Sequence, residues 1–263
     1  MAVAKAAGVA VRRAAFWWCV ALGAAVVATM AFWPAFRGAS GISQAIDSLP
    51  QPVIQAFGLQ DFGSPAGFLR GNLYELLVPL LFSIAAVALV NGQTASDESA
   101  GRMELFLAQA IDRRGLFVAR LVACMVALLL IIVTTIVVQV VADALLDVSI
   151  QPGYVIATAV LCGLLAALFG SVAYLVACLA ARPSLVLAVG IGLLIGGYLV
   201  AALFPVAELL KPWAVISPWN WALGGNPLEN PTEPWRLAAL ALTSLVLIVV
   251  GTAVVTRRDV TAP

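Results

Sequence analysis

The chain has 263 residues, of which 63% are hydrophobic and only 10% are charged, and its formal net charge is +1. Soluble domains carry about 25% charged residues, so this composition excludes an ordinary soluble domain and indicates a membrane protein. The sequence has no histidine, and its four cysteines all fall in apolar stretches. It therefore predicts neither a disulfide framework nor a zinc or haem site.

Six apolar stretches are long enough to form helices that cross a bilayer, which takes roughly 20 residues. They hold no Lys, Arg, Asp or Glu at mid-depth. We therefore predict an all-α polytopic membrane protein with a single transmembrane domain over residues 1–263. The predicted spans cover residues 14–34, 75–90, 121–142, 154–180, 185–204 and 237–255. The second span is the shortest, and Glu75 begins it at a membrane interface.

The basic residues favour one orientation. If the N-terminus is cytoplasmic, ten of the 14 Lys and Arg residues lie on the cytoplasmic side. The outside then holds Arg37, Arg70, Lys211 and Arg236. This positive-inside bias predicts that both termini are cytoplasmic. Because the chain is rich in Ala, Val and Arg and poor in Lys, we predict a multi-pass protein of the bacterial cytoplasmic (inner) membrane. No basic face remains for nucleic acid.

The first external segment, residues 36–71, shows two short amphipathic patterns. The first comprises Ile42, Ala45, Ile46 and Leu49, and it ends at Pro50. The second comprises Val53, Ile54 and Phe57, and it ends at Gly58. We predict two short helices that lie on the outer membrane surface or cap the bundle.

The clearest cluster of charge lies in residues 91–120, between the second and third spans. Thr94 and Asp97 are spaced like a capping box at the start of a helix. An apolar stripe at i, i+3, i+4 spacing follows and predicts a short amphipathic cytoplasmic helix. The stripe comprises Met103, Phe106, Leu107, Ala110 and Ile111, and residues 112–115 end the helix before the third span.

The second half of the chain has two further features. Gly192 and Gly196 form a GxxxG pattern, which permits close helix packing either within the chain or in a dimer. The last external segment, residues 205–236, contains six prolines and four tryptophans. We predict a broken, partly re-entrant segment whose indoles form an aromatic belt at the headgroup boundary or gate an exit path.

The loop between the second and third spans resembles that of ABC type-2 membrane domains, the permeases of an ATP-driven exporter family. The matching features are Asp97-Glu98, Gly101, E-L-F-L-A at residues 104–108, Arg113-Arg114 and Arg120. Arg102-Met103 and Ala110 depart from the usual Thr-Leu and proline of that pattern. S-P-W-N-W at residues 217–221 and T-R-R-D-V at residues 256–260 resemble the external Ser-Pro-aromatic segment and the basic C-terminal end of the same family.

The resemblance implies a permease that alternates access and is driven by a separate ABC ATP-binding subunit. Its loop helix would be the coupling element that docks on that subunit. The residues implied in this contact are Asp97, Glu98, Arg102, Met103, Glu104, Phe106, Leu107, Arg113 and Arg114. The family also implies a second permease, as a homodimer or heterodimer, and two ATPase subunits that hold ATP and Mg.

The chain itself is not predicted to be an enzyme. A P-loop requires Gly-Lys-Ser/Thr, and the only lysines, Lys5 and Lys211, lack that setting. No nucleophile–base pair, cofactor site or metal cluster is evident in or beside the spans. An uncharged interior favours apolar or amphipathic cargo, either a small molecule or a lipid, and the surrounding bilayer is itself a partner.

Two other functions remain open from the sequence. An ion-coupled secondary transporter requires a titratable group within the membrane, and the nearest ones are Glu75 and Asp143, both toward the outer face. A membrane scaffold or sensor would function without any ATPase. Polar residues inside the spans are candidates to line a path or to bond between helices. They are Ser83, Thr134, Thr135, Gln139, Thr158, Ser171 and Tyr174.

Overall fold

The computed structural model describes residues 2–37, 48–50, 53–54, 64–101, 113–180 and 182–256, and within these ranges the regular structure is helical, without strands. Six helical segments are long and apolar enough to span a membrane by length and composition. They are Ala10–Phe36, Pro65–Ser99, Arg114–Leu145, Pro152–Leu179, Pro183–Val206 and Pro234–Val255. The prediction of an all-helical, multi-pass membrane protein with six such helices is confirmed.

The described α-helices are numbered in chain order. They are α1 (Ala2–Met30), α2 (Trp33–Phe36), α3 (Pro65–Leu69), α4 (Leu77–Gln93), α5 (Ala95–Ser99), α6 (Arg113–Leu145), α7 (Pro152–Leu179), α8 (Pro183–Leu203), α9 (Pro218–Leu223) and α10 (Pro234–Val255). A π-helical turn, Arg70–Tyr74, lies between α3 and α4, and two 3-10 turns, Phe204–Val206 and Lys211–Ile216, lie between α8 and α9.

The prediction that the second span is the shortest is wrong. Its helical segment runs over 35 residues, Pro65–Ser99, and is the longest of the six. The helix does not begin at Glu75, because the π-helical turn continues it back into α3. A charge was taken as the end of the apolar run, whereas here α3 and the π-helical turn extend the helical segment back past Glu75 and Arg70. A turn at residues 75–76 separates them from α4, which begins at Leu77.

Helices α4 and α7 form the centre of the bundle. α7 packs against α4, α6, α8 and α10, while α1 packs mainly along α6. In its most apolar stretch α7 is 67% buried, compared with 17% for the segment that contains α8. Apolar side chains nevertheless cover the outside of the bundle, which suits a lipid environment. On α6 the large exposed ones are Val122, Val126, Leu129, Leu130, Val133, Val137, Val141 and Leu145.

Small residues bring the inner helices close together. A Cβ atom added at Gly190 of α8 would lie 2.9 Å from Cγ1 of Val87 on α4. A Cβ atom at Gly251 of α10 would lie 3.1 Å from the ring of Tyr174 on α7. Both distances are shorter than ordinary van der Waals contact, so a larger residue at either position would require its neighbour to move.

The first external segment differs from its prediction. The helix predicted before Pro50 lies outside the described residues except for Leu49, which is exposed, and of the second only the helical Val53 and Ile54 are described. The unpredicted helix α3 begins where the Ser64 hydroxyl accepts a hydrogen bond from the Gly67 amide at 3.0 Å.

Aromatic packing holds α2 against α3. The Phe68 ring lies 5.2 Å from Trp33 and 5.1 Å from Phe36, measured between ring centroids. These contacts close the end of the bundle that also contains Glu75, which we call the Glu75 end. The opposite end is called the Asp97 end. By the distribution of basic residues, the Glu75 end is predicted to be outside and the Asp97 end cytoplasmic.

Candidate functional site

A buried ion pair lies at the Asp97 end. One guanidinium nitrogen of Arg120, Nη1, lies 2.8 Å from Asp97 Oδ2 and also donates to the Gln93 carbonyl at 2.5 Å. Both charged residues are buried, at 8% exposure for Asp97 and 6% for Arg120. Asp97 lies on α5, Gln93 ends α4, and Arg120 lies two turns into α6. The pair therefore ties the beginning of the loop to both neighbouring helices.

Such a pair is sensitive to the loss of either member. Taking two charges out of water costs several kcal/mol per ion, and only close, hydrogen-bonded geometry offsets that cost. Removing one partner strands the other, which typically costs about 3–5 kcal/mol. The pair thus attaches the loop firmly to the helices, and the loss of either residue would remove this attachment.

The capping-box prediction at Thr94 is wrong. Its hydroxyl makes no cap at the start of α5 and instead donates back to the Val90 carbonyl at 2.6 Å. Thr94 follows α4 directly, so the nearest acceptor is the carbonyl one turn earlier. Asp97 is consequently available to face Arg120.

The other residues of the predicted ATPase contact are only partly described. Glu98 is half-buried on α5 and Arg114 is exposed near the start of α6. Arg113 is the first residue of α6. Arg102, Met103, Glu104, Phe106 and Leu107 lie outside the described residues, as does the amphipathic helix that they were predicted to form. The structure thus brings Asp97 together with Arg120. Arg120 matches the family pattern, but it was not among the residues predicted to contact the ATPase.

A cleft opens beside the ion pair. It has a volume of about 280 Å³ and lies between α1 and α4, with Asp97, Gln93, Val11 and Trp18 in its wall. The loop's attachment point is therefore reachable from the Asp97 end along the first helix.

Most polar side chains inside the spans bond to their own helix. The hydroxyl groups of Ser83, Thr135, Thr158 and Ser171 each donate to the carbonyl four residues earlier, at 2.7–2.8 Å. These residues make no interhelical hydrogen bond in the described part of the chain, so for them the prediction of bonds between helices is wrong. Because the hydroxyls are already bonded, they add little polarity to a transport path.

Polar contacts between helices also occur in the interior. The Tyr174 hydroxyl lies 3.1 Å from the Thr252 hydroxyl, joining α7 to α10. The Gln139 amide donates to Asp143 at 2.8 Å on its own helix and contacts the Met30 sulfur of α1 at 3.4 Å. The Gln139 side-chain oxygen has no hydrogen-bond partner among the described residues.

The π-helical turn creates an ion pair at the Glu75 end. The Glu75 amide donates to the Arg70 carbonyl five residues earlier, at 2.7 Å, which is the π-helical spacing. The same spacing brings the Arg70 Nε to 3.3 Å from Glu75 Oε2. Each charge is partly neutralised by the other, so this helix contains a polar pair without isolated charges.

The broken segment after α8 packs into the bundle through one tryptophan. Trp219 is 2% exposed, and its indole N–H donates to the Leu194 carbonyl of α8 at 3.1 Å. The Ser217 hydroxyl donates to the Gly197 carbonyl at 2.6 Å. Trp219 is thus part of the core and not of an aromatic belt. The belt interpretation stays a prediction for Trp213, Trp221 and Trp235.

A polar cavity of about 360 Å³ lies under this segment at the Glu75 end. Its wall is formed by the Arg70–Glu75 pair, by α8, and by the chain from Lys211 to Gly224. The polar side chains in the wall are Arg70, Glu75, Tyr198, Lys211 and Asn220. Ala201, Ala202, Pro205 and Leu223 supply its apolar part. The volume falls within the range of small-molecule sites.

Arg236 holds α9 in place from the start of α10. Its Nη1 donates to the Asn220 carbonyl at 2.7 Å and to the Trp221 carbonyl at 3.3 Å. Its Nε donates to Glu233 at 2.7 Å. The hydrogen bond from Arg236, with smaller contributions from the Trp235 indole and from the positive charge, lowers the pKa of Glu233 below its ordinary value.

We expect Arg236→Gln to destabilise the protein by about 1–2 kcal/mol, because two α9 carbonyls lose a charged donor. Glu233→Gln is the matched control, since this exposed residue contributes little to stability as a surface ion-pair partner. Thermal unfolding in neutral detergent measures both. If the two variants unfold at the same midpoint temperature, Arg236 does not hold α9 in place.

Sequence reasoning missed the pairing of Arg120 with Asp97 and the grouping of Tyr198, Lys211 and Asn220. For Arg120 a signal was present, since a lone charge two turns into an apolar helix needs a partner. For the cavity no signal existed, because its wall combines residues 198–224 with Arg70 and Glu75, which are distant along the chain. Within the described ranges, no three acidic or cysteine side chains come together as a metal site.

The six apolar helices and their bonded interior define a multi-pass α-helical membrane protein. Residues 50–261 match the sequence profile of the family described as "Protein of unknown function (DUF2705)", and the chain belongs to that family. No curated protein matches the chain.

Proposed function

We propose that this chain is the membrane-spanning permease subunit of an ATP-driven exporter of the ABC type-2 class. It would move an apolar or amphipathic compound across the bacterial cytoplasmic membrane by alternating access. A separate ABC ATP-binding subunit would bind ATP and Mg and would dock on the loop between α5 and α6. Both termini would be cytoplasmic.

The observation that carries the proposal is the buried Asp97–Arg120 pair. A loop that receives a mechanical push transmits it only if its ends are fixed to the helices that must move. Arg120 bonds to Asp97 of α5 and to the last carbonyl of α4, so a displacement of the loop reaches α4 and α6 together. α4 in turn lies at the centre of the bundle, against α7.

The position of the charged side chains favours an energy source outside the membrane. Along the described helices, the charged side chains lie toward the two ends, and those of Arg70, Glu75, Asp97 and Arg120 are paired. Ion-coupled transport needs a titratable group that loads and releases an ion within the membrane. A pair that must stay intact to hold the helix is poorly suited to that task.

A second permease is proposed as a partner because α8 has an unused small-residue face. A Cβ atom added at Gly192 or Gly196 would meet nothing within 4 Å, so the GxxxG face is not occupied by the described part of the chain. We expect Gly196→Leu to weaken self-association about tenfold in a detergent dilution series while leaving thermal stability unchanged. Gly190→Leu, whose side chain would strike Val87, should instead destabilise the fold. Unchanged association of Gly196→Leu would exclude this face as the dimer contact.

The direct test is to purify the tagged full chain from its native host and to reconstitute what copurifies. The expected result is a complex with an ABC ATP-binding subunit that hydrolyses ATP and drives transport through this chain. Stable function of the chain alone, with no ATPase partner, would favour a scaffold or sensor and overturn the proposal.

One observation favours a second candidate, an ion-coupled transporter. Asp143 accepts a hydrogen bond from Gln139, whose other side-chain atom is buried and lacks a partner within the described residues. Such a polar pair near the Glu75 end supplies oxygen atoms that could hold a cation. Transport into vesicles driven by an ion gradient without nucleotide, and lost in Asp143→Asn, would support this candidate over the exporter.

A further inference from the structure

We propose that the 360 Å³ cavity at the Glu75 end binds the anionic head group of an amphiphile, with Lys211 as its charge partner. Neither the family nor the loop assigns any function to this cavity. The inference deepens the proposed function, since the bound amphiphile would be the cargo. Only that last step rests on the exporter proposal, and the binding site itself does not.

Charge is the first reason. Among the charged side chains in the wall, Arg70 and Glu75 face each other at 3.3 Å and largely cancel. Lys211 is exposed and has no ion-pair partner within the part of the chain that the structure describes. Among the described residues the cavity wall therefore carries one positive charge without an acidic partner, which favours an anion such as a phosphate or carboxylate.

Unused hydrogen-bonding groups are the second reason. The Tyr198 hydroxyl and the Asn220 side-chain amide line the same wall, and neither makes a hydrogen bond to another described residue. Both can donate, as can the Lys211 ammonium. Polar groups that converge on a cavity without partners are typical of a binding site that water or a ligand fills.

The fixed positions of these groups are the third reason. The Tyr198 ring lies 5.2 Å from Trp219, edge to face, and Trp219 is itself bonded to α8. Asn220 is held because Arg236 bonds to its carbonyl. The Tyr198 ring and the backbone of Asn220 are therefore held by the surrounding structure, so a ligand that bonds to these residues orders little of the chain.

An apolar rim explains why the ligand is an amphiphile and not a free anion. The chain beside Lys211 exposes large apolar side chains, among them Leu209 at 85% and Trp213 at 58%. Ala201, Ala202 and Pro205 continue the apolar surface into the cavity wall. A ligand with its head group at Lys211 can thus lay an apolar tail along this rim at the membrane surface.

The test uses the full chain in neutral detergent and native mass spectrometry with equal amounts of phosphatidylglycerol and phosphatidylcholine of the same acyl chains. The expected result is preferential binding of phosphatidylglycerol. Lys211→Glu should weaken that binding about tenfold, and Tyr198→Phe, which keeps the ring contact, about threefold. Arg37→Glu is the matched control, because Arg37 is an exposed cation at the same end but outside the cavity.

Inorganic phosphate at millimolar concentration separates the two sources of the anion. We expect phosphate not to displace the lipid. Displacement would show that the cavity binds free anions and would overturn the proposal that its ligand is an amphiphile. Equal binding of both lipids, or wild-type binding by Lys211→Glu, would overturn the site itself. Because no ATPase is present, these failures leave the exporter proposal standing, and absence of an ATPase partner likewise leaves the cavity result intact.

Discussion

Replacing Arg120 with Met should destabilise the protein by about 3–5 kcal/mol, because the substitution removes the guanidinium that faces the buried Asp97. Arg120 is 6% exposed and lies 2.8 Å from Asp97, so little water replaces the lost partner. The Gln93 carbonyl loses its donor in the same step. Thermal unfolding in neutral detergent is the measurement, with circular dichroism to report helix content.

The double variant Asp97→Leu with Arg120→Met is the control. Replacing a buried ion pair by apolar residues of similar size is often neutral, so most of the stability should return. The coupling between the two sites should then exceed about 2 kcal/mol in a double-mutant cycle. If the two single substitutions add without coupling, the ion pair does not stabilise the fold.

The double variant also separates an effect on stability from an effect on function. In the double variant the fold is restored, but the bond between α5 and α6 is not. If the loop transmits force through this bond, the double variant should stay folded and still lose ATP-dependent transport. Recovery of both properties would make the ion pair a structural feature only.

The number of spans was predictable from the sequence because a bilayer demands about 20 apolar residues in any sequence. The limits of a span were less predictable, since hydropathy counts Glu75 as an end. In the structure Arg70 neutralises Glu75 across a π-helical turn, and helix lies on both sides of the pair. No pattern along the chain distinguishes this turn from ordinary helix.

The direction of a side chain was the least predictable property. Gly190, Gly192 and Gly196 look equivalent in the sequence, but only Gly190 packs against another helix. Tryptophan is typical of headgroup anchors, but the ring of Trp219 packs beside α8, where Gly197 leaves room for it. In both cases the outcome depends on which face of α8 meets the bundle, and an apolar helix without a polar face does not encode that choice.

The loop illustrates another limit of the sequence, because spacing along the chain does not show which charges meet. Asp97 lies in the most hydrophilic part of the chain, and the family resemblance implies that it contacts a partner protein. Its partner is Arg120, 23 residues later and already inside an apolar helix. The match of Asp97 and Arg120 to the family pattern pointed to both residues, but the spacing alone did not show that they meet.

Substituting Asp for both Met103 and Phe106 is expected to uncouple ATP hydrolysis from transport. The two residues lie on the apolar stripe of the predicted loop helix, and each buried side chain of this size is worth about 1.5–3 kcal/mol. Placing two carboxylates there should weaken docking of the ATP-binding subunit by at least tenfold. Membrane insertion should be unchanged, because the stripe lies outside the six apolar helices.

Gln109→Glu is the matched control, since it adds negative charge to the same predicted helix but off the stripe. ATP hydrolysis and cargo uptake are measured together in vesicles that contain the full complex. The proposal requires that the double variant keep its hydrolysis while uptake falls to the background, and that Gln109→Glu behave as wild type. Undiminished uptake by the double variant would remove the loop from the mechanism. Equal loss in both variants would show that charge on the loop matters but its apolar stripe does not.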